Sequence, residues 1–372
     1  NTHYCDPQGL LSLRESIARQ VSQTRKLEVG PQQVVVFPGG KPPIGLAQQV
    51  YCNQGDEVIY PSPGFPIYES FIRYVDAVPV PLHLDEASDF TFSPEQLAEL
   101  ITPKTKLIYL NFPSNPTGGV ATRELLESIA EVILERCSED VRVYSDEIYE
   151  NILFDGLSHH SIASMPGMAS RSIIASGFSK TYAWTGGRIG YAVFPYTEEA
   201  EIFKTLNINY FSCVPPYNQE AARVALENTL SKTAVGQMVQ TFEKRRDEIL
   251  EALNQVEGIS CRKPGGAFYL FPNISEVCSK LELTEFYSAL SESEKKETSP
   301  AGIFQMFALY EHQVAVLDRR SFGSLGSEGK HYLRLSTASE IEVLREGVQR
   351  LKNASEDQTG LKRFLERRPD LP

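Results

Sequence analysis

The lysine at position 180 lies in a run of residue types that could carry covalent chemistry. Residues 176–190 read Ser-Gly-Phe-Ser-Lys-Thr-Tyr-Ala-Trp-Thr-Gly-Gly-Arg-Ile-Gly. Partial burial lowers the pKa of a lysine, and small neighbours leave room for a flat ligand, which suits Schiff-base chemistry. Arg188, downstream in a glycine-rich turn, can hold a phosphate through two parallel hydrogen bonds. The alternative interpretation is a strand, a loop and an arginine in an ordinary salt bridge.

A second candidate phosphate site is the turn Pro-Gly-Gly-Lys-Pro-Pro at residues 38–43. It follows the apolar run 34–37 and precedes an apolar, helix-like stretch. Glycines at a strand-to-helix turn expose backbone N–H groups, and prolines suit the first helical turn, so a phosphate there gains hydrogen bonds and the helix dipole. This is not a P-loop, because a proline follows the lysine and the first glycine of that pattern is missing. A plain tight turn is the alternative interpretation.

The elements that must position these residues alternate between strand-like and helix-like runs through the first two-thirds of the chain. This alternation predicts βαβ units and a mainly parallel sheet. The predicted strands are residues 34–37, 57–60, 106–111, 141–144 and 172–175, and residues 123–137 are a predicted amphipathic helix.

The last third of the chain predicts a second domain. An amphipathic stretch over roughly 219–256 predicts one long helix that bridges two domains. The predicted division is a large domain at residues 1–240 and a small α+β domain at residues 241–372. In the small domain, residues 259–272 and 314–317 are predicted strands, residues 291–299 a polar loop or exposed helical turn, and the charged tail after Ala354 a segment that frays.

The run around Lys180 resembles the lysine signature of pyridoxal-phosphate enzymes of the aspartate aminotransferase superfamily, the class I/II aminotransferases of fold type I. The resemblance extends from Tyr4 to about residue 351. It implies an α/β fold with a mainly parallel seven-stranded sheet flanked by helices, plus the smaller α+β domain. Two residues depart from the family pattern: Gly177 replaces a frequent serine, and Trp184 replaces a smaller apolar residue. The family's N-terminal arm and substrate-covering loop are expected to be missing from this sequence.

The resemblance assigns the cofactor ring to three residues that follow predicted strands. Asn115, in the Asn-Pro-Thr-Gly element, would donate to the phenolic oxygen of the ring, and a plain turn is the alternative interpretation. Asp146 would be a buried carboxylate that needs a cationic partner, which a protonated pyridine nitrogen supplies. Tyr149 could reach the ring oxygen. A helix cap is the alternative role for Asp146.

The other cofactor residues are also assigned by resemblance. Gly39, Gly40 and Lys41 would form the phosphate cup, chiefly through their backbone amides, together with Arg188. Ser176 and Ser179 are the nearby hydroxyls, and Ser179 is grouped with the cofactor residues. Phe65 would stack on the ring, with a core phenylalanine as the alternative. Tyr4 resembles the tyrosine that reaches the phosphate of a neighbouring subunit, which implies a homodimer with shared sites.

Arg334 stands where the family arginine binds the substrate α-carboxylate, and Asn115 is grouped with it as a substrate-binding residue. The implied activity moves an amino group between an L-amino acid and a 2-oxo acid, with Lys180 transferring the proton. Other fold-type-I enzymes share these residues, so a C–S lyase, a synthase or a cyclase is the alternative. Neither Arg319 nor Arg320 can be assigned to a second substrate carboxylate from sequence.

Composition excludes several other classes of protein. The 372 residues carry a net charge of −12, which argues against a nucleic-acid binder. A regulator with a fused helix-turn-helix is disfavoured because the sequence has no basic N-terminal domain. The six cysteines show no metal-ligand spacing with the six histidines and are typical of reduced cytoplasmic thiols. No apolar run reaches membrane-spanning length, and no signal peptide is expected.

Overall fold

The computed structural model describes residues 3–325 and 329–367, and two β-sheets organise them. The strands are β1 Val34–Phe37, β2 Glu57–Ser62, β3 Val78–His83, β4 Thr105–Asn111, β5 Arg142–Asp146, β6 Ser172–Gly177, β7 Gly190–Val193, β8 Tyr269–Leu270, β9 Leu317–Asp318 and β10 Leu333–Ser336.

Strands β1 to β7 form the larger sheet in the order β1-β7-β6-β5-β4-β2-β3. Neighbouring strands from β3 to β6 run parallel, and β7 pairs antiparallel with β6 and β1. The predicted α/β fold with a mainly parallel seven-stranded sheet is therefore confirmed. Because parallel strands end on the same side, the carboxyl ends of β4, β5 and β6 meet at one edge.

Helices cover both faces of this sheet and surround the smaller one. They are α1 Leu11–Arg25, α2 Pro42–Tyr51, α3 Ile67–Tyr74, α4 Pro94–Leu100, α5 Arg123–Arg136, α6 Phe178–Thr181, α7 Thr197–Phe211, α8 Pro216–Glu227, α9 Thr229–Asn254, α10 Ser275–Lys280, α11 Leu283–Ala289, α12 Glu292–Glu297, α13 Pro300–His312, α14 Ile341–Glu356 and α15 Gln358–Arg367.

Strand β1 shows why the sheet strands are continuous apolar runs. Val34 and Val36 pack on one face with Leu13 of α1, whereas Val35 packs on the other face with Phe203 of α7. A sheet buried on both faces requires apolar residues at every position of a strand, not at alternate ones.

The smaller sheet has the strand order β8-β10-β9. A separate apolar cluster fills the space around it. It draws its buried residues from 249 to 364, and Phe304, Phe307 and Phe364 are its large aromatic members.

Three predictions about the last third of the chain were wrong in detail. The predicted long helix is two helices, because Asn228 ends α8 and its side chain accepts the Leu230 N–H at 2.8 Å to begin α9. Of the predicted strand 259–272 only β8 is a strand, and the predicted strand 314–317 overlaps β9 only at Leu317. The tail does not fray over α15, because Leu361 and Phe364 are buried in the small-domain cluster. Residues 291–299 contain the exposed helix α12, within the prediction.

Within residues 3–325 and 329–367, no helix is both long and apolar enough to cross a lipid bilayer.

Candidate active site

A cavity of about 300 Å³ opens at the carboxyl ends of β4, β5 and β6. Asn111, Asp146 and Ser176 line it from those strand ends, and Tyr269 and Arg334 line it from the smaller sheet. This edge of an open parallel sheet is where ligands usually bind. Most residues predicted for the site also line the cavity: Gly40, Lys41, Phe65, Asn115, Asp146, Tyr149, Ser179, Lys180, Arg188 and Arg334.

Lys180 lies on α6, a single helical turn that directly follows β6. Its Nζ is 5.4 Å from the ring centroid of Phe268 and 5.9 Å from that of Tyr149. Burial lowers the pKa of Lys180, and three neighbouring cations lower it further. These cations are Arg334, Lys41 and Arg188. A lower pKa increases the neutral, nucleophilic fraction of the amine at neutral pH.

Asp146 ends β5 as a buried carboxylate that lines the cavity. Its Oδ2 accepts a hydrogen bond from the Tyr68 hydroxyl at 2.7 Å, and its Oδ1 accepts the Ile148 N–H at 3.3 Å. Burial raises the pKa of Asp146 to about 6, and these two hydrogen bonds limit the rise. The bond to Ile148 also means that Asp146 caps the following turn, so the two interpretations of this residue are compatible.

Asn111, the last residue of β4, connects Asp146 at the end of β5 with Asn115 in the turn that follows β4. Its Nδ2 donates to the backbone oxygen of Asp146 at 3.0 Å, and its Oδ1 accepts the Asn115 N–H at 3.0 Å. The Asn115 side chain in turn accepts from Arg334 Nη1 at 3.1 Å through its Oδ1. Because the oxygen of this amide is occupied, its NH₂ group is the part that remains to donate into the cavity.

Arg334 is held flat between two aromatic rings. Its guanidinium carbon lies 4.5 Å from the ring centroid of Tyr269 and 4.7 Å from that of Phe322. The neighbouring arginines do not line this cavity: Arg319 donates to the Ser62 hydroxyl at 2.9 Å, and Arg320 donates to the backbone oxygen of Thr298 at 2.5 Å. Neither is positioned at this cavity to bind a second substrate carboxylate.

The glycine turn between β1 and α2 packs tightly against Arg188. Gly39 has a φ of +101°, and a Cβ at this position would overlap the Arg188 guanidinium. Gly190 of β7 lies so close that a Cβ there would overlap the backbone of Gly39 and Gly40. Arg188 donates to the backbone oxygen of Thr185 at 2.7 Å. Bare backbone and a guanidinium therefore meet at one corner of the cavity.

Comparisons with known proteins agree with this geometry. The family described as "Aminotransferase class I and II" matches residues 1–351. A probable aspartate/prephenate aminotransferase of Aquifex aeolicus is 36% identical over 96% of this chain and 84% of that protein. An aspartate aminotransferase of Bacillus subtilis is 34% identical over 95% of this chain and 83% of that protein. The chain belongs to the class I and II aminotransferase family.

A solved structure gives the same result for the fold. The aromatic aminotransferase from Pyrococcus horikoshii superposes with a TM-score of 0.84 at 32% identity, covering 96% of this chain and 89% of that one. The predicted family, fold class and amino-group transfer activity are all confirmed.

The two candidate serines of the aminotransferase differ in their partners. The Ser176 hydroxyl donates to Glu150 Oε1 at 2.9 Å and so is already occupied. The Ser179 hydroxyl lines the cavity and makes no hydrogen bond to any other residue that the structure describes. Ser179 is therefore the serine that is free to bind a ligand.

Two predicted residues do not line the cavity within one chain. The Gly39 N–H donates to the backbone oxygen of Phe37 at 2.7 Å, so this amide is used within the turn. Tyr4 is 85% exposed, away from the cavity of its own chain.

Three residues of the site were not predicted from sequence. Asn111 precedes the Asn-Pro-Thr-Gly element by four residues, and its place at the end of the predicted strand 106–111 is a signal that was available. Tyr68, three residues after Phe65, points inward from α3, and Tyr269 accepts or donates a 2.9 Å hydrogen bond with the Tyr149 hydroxyl. Tyr269 comes from the other sheet, so no local pattern links it to the site.

Proposed function

We propose that this aminotransferase binds pyridoxal phosphate in the cavity and uses Lys180 as its catalytic base. The observation that carries the proposal is that Lys180, Asp146 and Arg334 line one cavity, each from a different part of the fold. An amine, a carboxylate and a guanidinium are the groups needed for a cofactor aldehyde, a ring nitrogen and a substrate carboxylate respectively.

The residues present fit this cofactor. The buried Asp146 carboxylate accepts only neutral hydrogen-bond donors in the two bonds described above, so a cationic ring nitrogen would supply the charge that a buried anion lacks. The backbone amides of Gly40 and Lys41 donate no hydrogen bond to the described part of the chain, which leaves them for a phosphate beside Arg188 and Ser179.

Pyridoxal phosphate supplies an aldehyde that condenses with amines and a ring that withdraws electrons from the attached amino acid. The chain supplies the remaining functions. The Lys180 amine, with its lowered pKa, would accept the proton from the substrate Cα and hold it for its return. Arg334 orients the substrate through its carboxylate, and Phe65 and Tyr149 line the space around the ring.

The substrates that we propose are L-amino acids and 2-oxo acids. Relatives are named for aspartate, prephenate and aromatic amino acids, so these compounds are the first to test. Each amino acid should be mixed with a 2-oxo acid acceptor, and prephenate, which is itself a 2-oxo acid, with an amino-acid donor. The keto acid product and the pyridoxamine form of the cofactor are followed by absorbance. Release of ammonia or thiol without the pyridoxamine form would replace this proposal with the lyase or cyclase alternative.

Replacement of Arg334 tests the substrate site. Arg334→Ala leaves a substrate carboxylate unpaired, which costs roughly 2–5 kcal/mol. The value of kcat/KM for the amino acid should therefore fall by about thirtyfold or more, through a higher KM and a lower kcat. Arg345→Ala is the matched control, because Arg345 is an exposed arginine of the same domain that pairs with Glu248. A small effect of Arg334→Ala, similar to the control, would mean that another residue binds the carboxylate.

We also propose a homodimer, a division of the chain near residue 240 and a cytoplasmic location. Exposed aromatic residues support the dimer, since Tyr74, Tyr210 and Phe211 line one surface groove that a second copy would cover. The separate apolar cluster of residues 249–364 supports the small domain. The cysteine spacing supports the cytoplasmic location.

A further inference from the structure

A buried cluster of charged side chains lies directly behind the cavity wall. Arg25, the last residue of α1, contacts Glu147 and Glu150, and we call these three residues the rear charge cluster. Arg25 Nη2 lies 2.6 Å from Glu147 Oε2, and Arg25 Nε lies 3.1 Å from the same oxygen. Arg25 Nη2 also donates to Glu150 Oε2. All three side chains are at most 6% exposed.

The acidic members of the cluster alternate with the site residues along one short segment. β5 ends at Asp146, and two turns follow, closed by the N–H of Glu150 on the oxygen of Glu147 and the N–H of Ile152 on that of Tyr149. Asp146 and Tyr149 line the cavity, whereas Glu147 and Glu150 do not. Each site residue is therefore followed in sequence by a carboxylate that Arg25 holds from behind.

The cluster also reaches the next strand. The Ser176 hydroxyl of β6 lines the cavity and donates to Glu150 Oε1, and it contacts the backbone oxygen of Glu147 at 3.4 Å. Glu150 thus links the end of β5 to the end of β6, and Lys180 follows β6 by one turn. The same three side chains support both strand ends from which the cavity is built.

Charge makes Arg25 the necessary member. Burial disfavours the ionised form of Glu147, but the charge of Arg25 and the other groups around this carboxylate together outweigh that effect and hold the pKa of Glu147 far below its usual range. His159 adds to this from 3.0 Å, as a close contact and not as an aligned hydrogen bond. Without Arg25, two buried carboxylates would lie behind Asp146, whose pKa the charge of Glu147 already raises.

We propose that Arg25 is a positioning residue for the cofactor: through Glu147 and Glu150 it holds Asp146 and Tyr149 in the cavity wall. This inference rests on the proposed function, because it concerns the residues that would bind the cofactor ring.

The test measures cofactor affinity separately from stability. The probe is pyridoxamine phosphate, whose binding does not depend on a covalent bond to Lys180, titrated into cofactor-free dimeric enzyme at several pH values. Arg25→Gln should weaken binding by about tenfold or more and move the pH at which binding is half lost upward. The double variant Arg25→Gln with Glu150→Gln restores the net charge of the cluster and should recover part of the affinity.

Arg171→Gln is the matched control. Arg171 is also buried, but it donates to the backbone oxygens of Cys137 and Ser138 at the opposite end of β6. This variant should lower the melting temperature without changing the affinity or its pH dependence. If Arg25→Gln only lowers the melting temperature, as the control does, or if the double variant recovers nothing, the positioning role is wrong. Absence of binding to the wild-type enzyme would instead refute the proposed cofactor.

Discussion

At the residue scale, the chemistry of this site depends on how Asp146 balances burial against hydrogen bonding. Desolvation alone would leave a buried carboxyl neutral, and a neutral carboxyl cannot pair with a protonated ring nitrogen. The Tyr68 hydroxyl and the Ile148 N–H keep its pKa near 6, so the group is ionised at neutral pH. A bound cation would lower this pKa further, because it favours the charged form.

Cofactor affinity should therefore depend on pH through Asp146. As pH falls below about 6, the carboxyl of the cofactor-free protein gains a proton, and this proton must be released before the carboxylate can pair with the ring. We expect the dissociation constant of pyridoxal phosphate to rise below that pH in the wild type, and the rise to be smaller in Asp146→Asn, which carries no charge at any pH. Fluorescence titrations at pH values above and below 6 measure this dissociation constant. The phosphate of the cofactor titrates equally in both proteins, so identical pH profiles would contradict the role of Asp146.

The residues predicted from sequence were those whose chemistry shows in a local motif. Lys180, Asp146 and Asn115 each stand in a short segment with a strand before it. Tyr68 and Tyr269 were missed because their partners, Asp146 and Tyr149, lie far away in sequence and the contact exists only after folding. Arg25 was missed for the same reason, since a basic residue at a helix end usually lies in solvent.

At the element scale, the turn between β1 and α2 illustrates how one glycine joins two parts of the site. Gly39 needs the left-handed region for the turn and also leaves the space that the Arg188 guanidinium occupies. The turn and Arg188 therefore form the candidate phosphate corner as a unit.

Substitution of two glycines separates these requirements. Gly39→Ala and Gly55→Ala both place a side chain at positive φ, which costs about 1–2 kcal/mol. Gly55 has open space around its Cβ position, whereas at Gly39 the new methyl displaces Arg188. The strained backbone conformation should lower the melting temperature by a similar amount in both variants. Only Gly39→Ala should also weaken cofactor binding, by about tenfold or more. Unchanged affinity in Gly39→Ala would show that Arg188 does not need its present position.

Strand prediction succeeded where the strand is a plain apolar run and failed where it is not. β3 was not predicted because its sequence, Val-Pro-Val-Pro-Leu-His, contains two prolines, which are tolerated only because β3 is an edge strand. β7 was not predicted because it begins at Gly190, whose missing side chain allows the Gly39 turn to approach. For both strands, the position within the sheet determines which residues are tolerated, and the local sequence does not reveal that position.

At the scale of the whole molecule, the exposed Tyr4 matters only if a second copy is present. The Tyr4 side chain is 85% exposed and does not line the cavity of its own chain. In a dimer with shared sites, its hydroxyl would reach the phosphate corner of the partner.

The two-domain division stays a prediction, supported by the separate apolar cluster around the small sheet.

Mixing of inactive subunits tests the shared site. Lys180→Ala and Tyr4→Phe each damage every site in their own homodimer, but a mixed dimer contains one site with both native residues. Random exchange of equal amounts should therefore restore about a quarter of the wild-type sites. Activity is measured before and after verified exchange. If exchange occurs and activity stays at the average of the parents, Tyr4 does not contribute to a neighbouring site.

The most direct test of the central claim is borohydride reduction of the enzyme loaded with pyridoxal phosphate, followed by peptide mass spectrometry. Lys180 is the lysine whose pKa is lowered by burial and by three cations, and it lies one turn after β6 at the cavity. We expect one pyridoxyl group per chain, on the peptide that contains Lys180, and none in Lys180→Ala. Attachment to Lys41 or to another lysine, or no attachment with cofactor in excess, would contradict this account of the site.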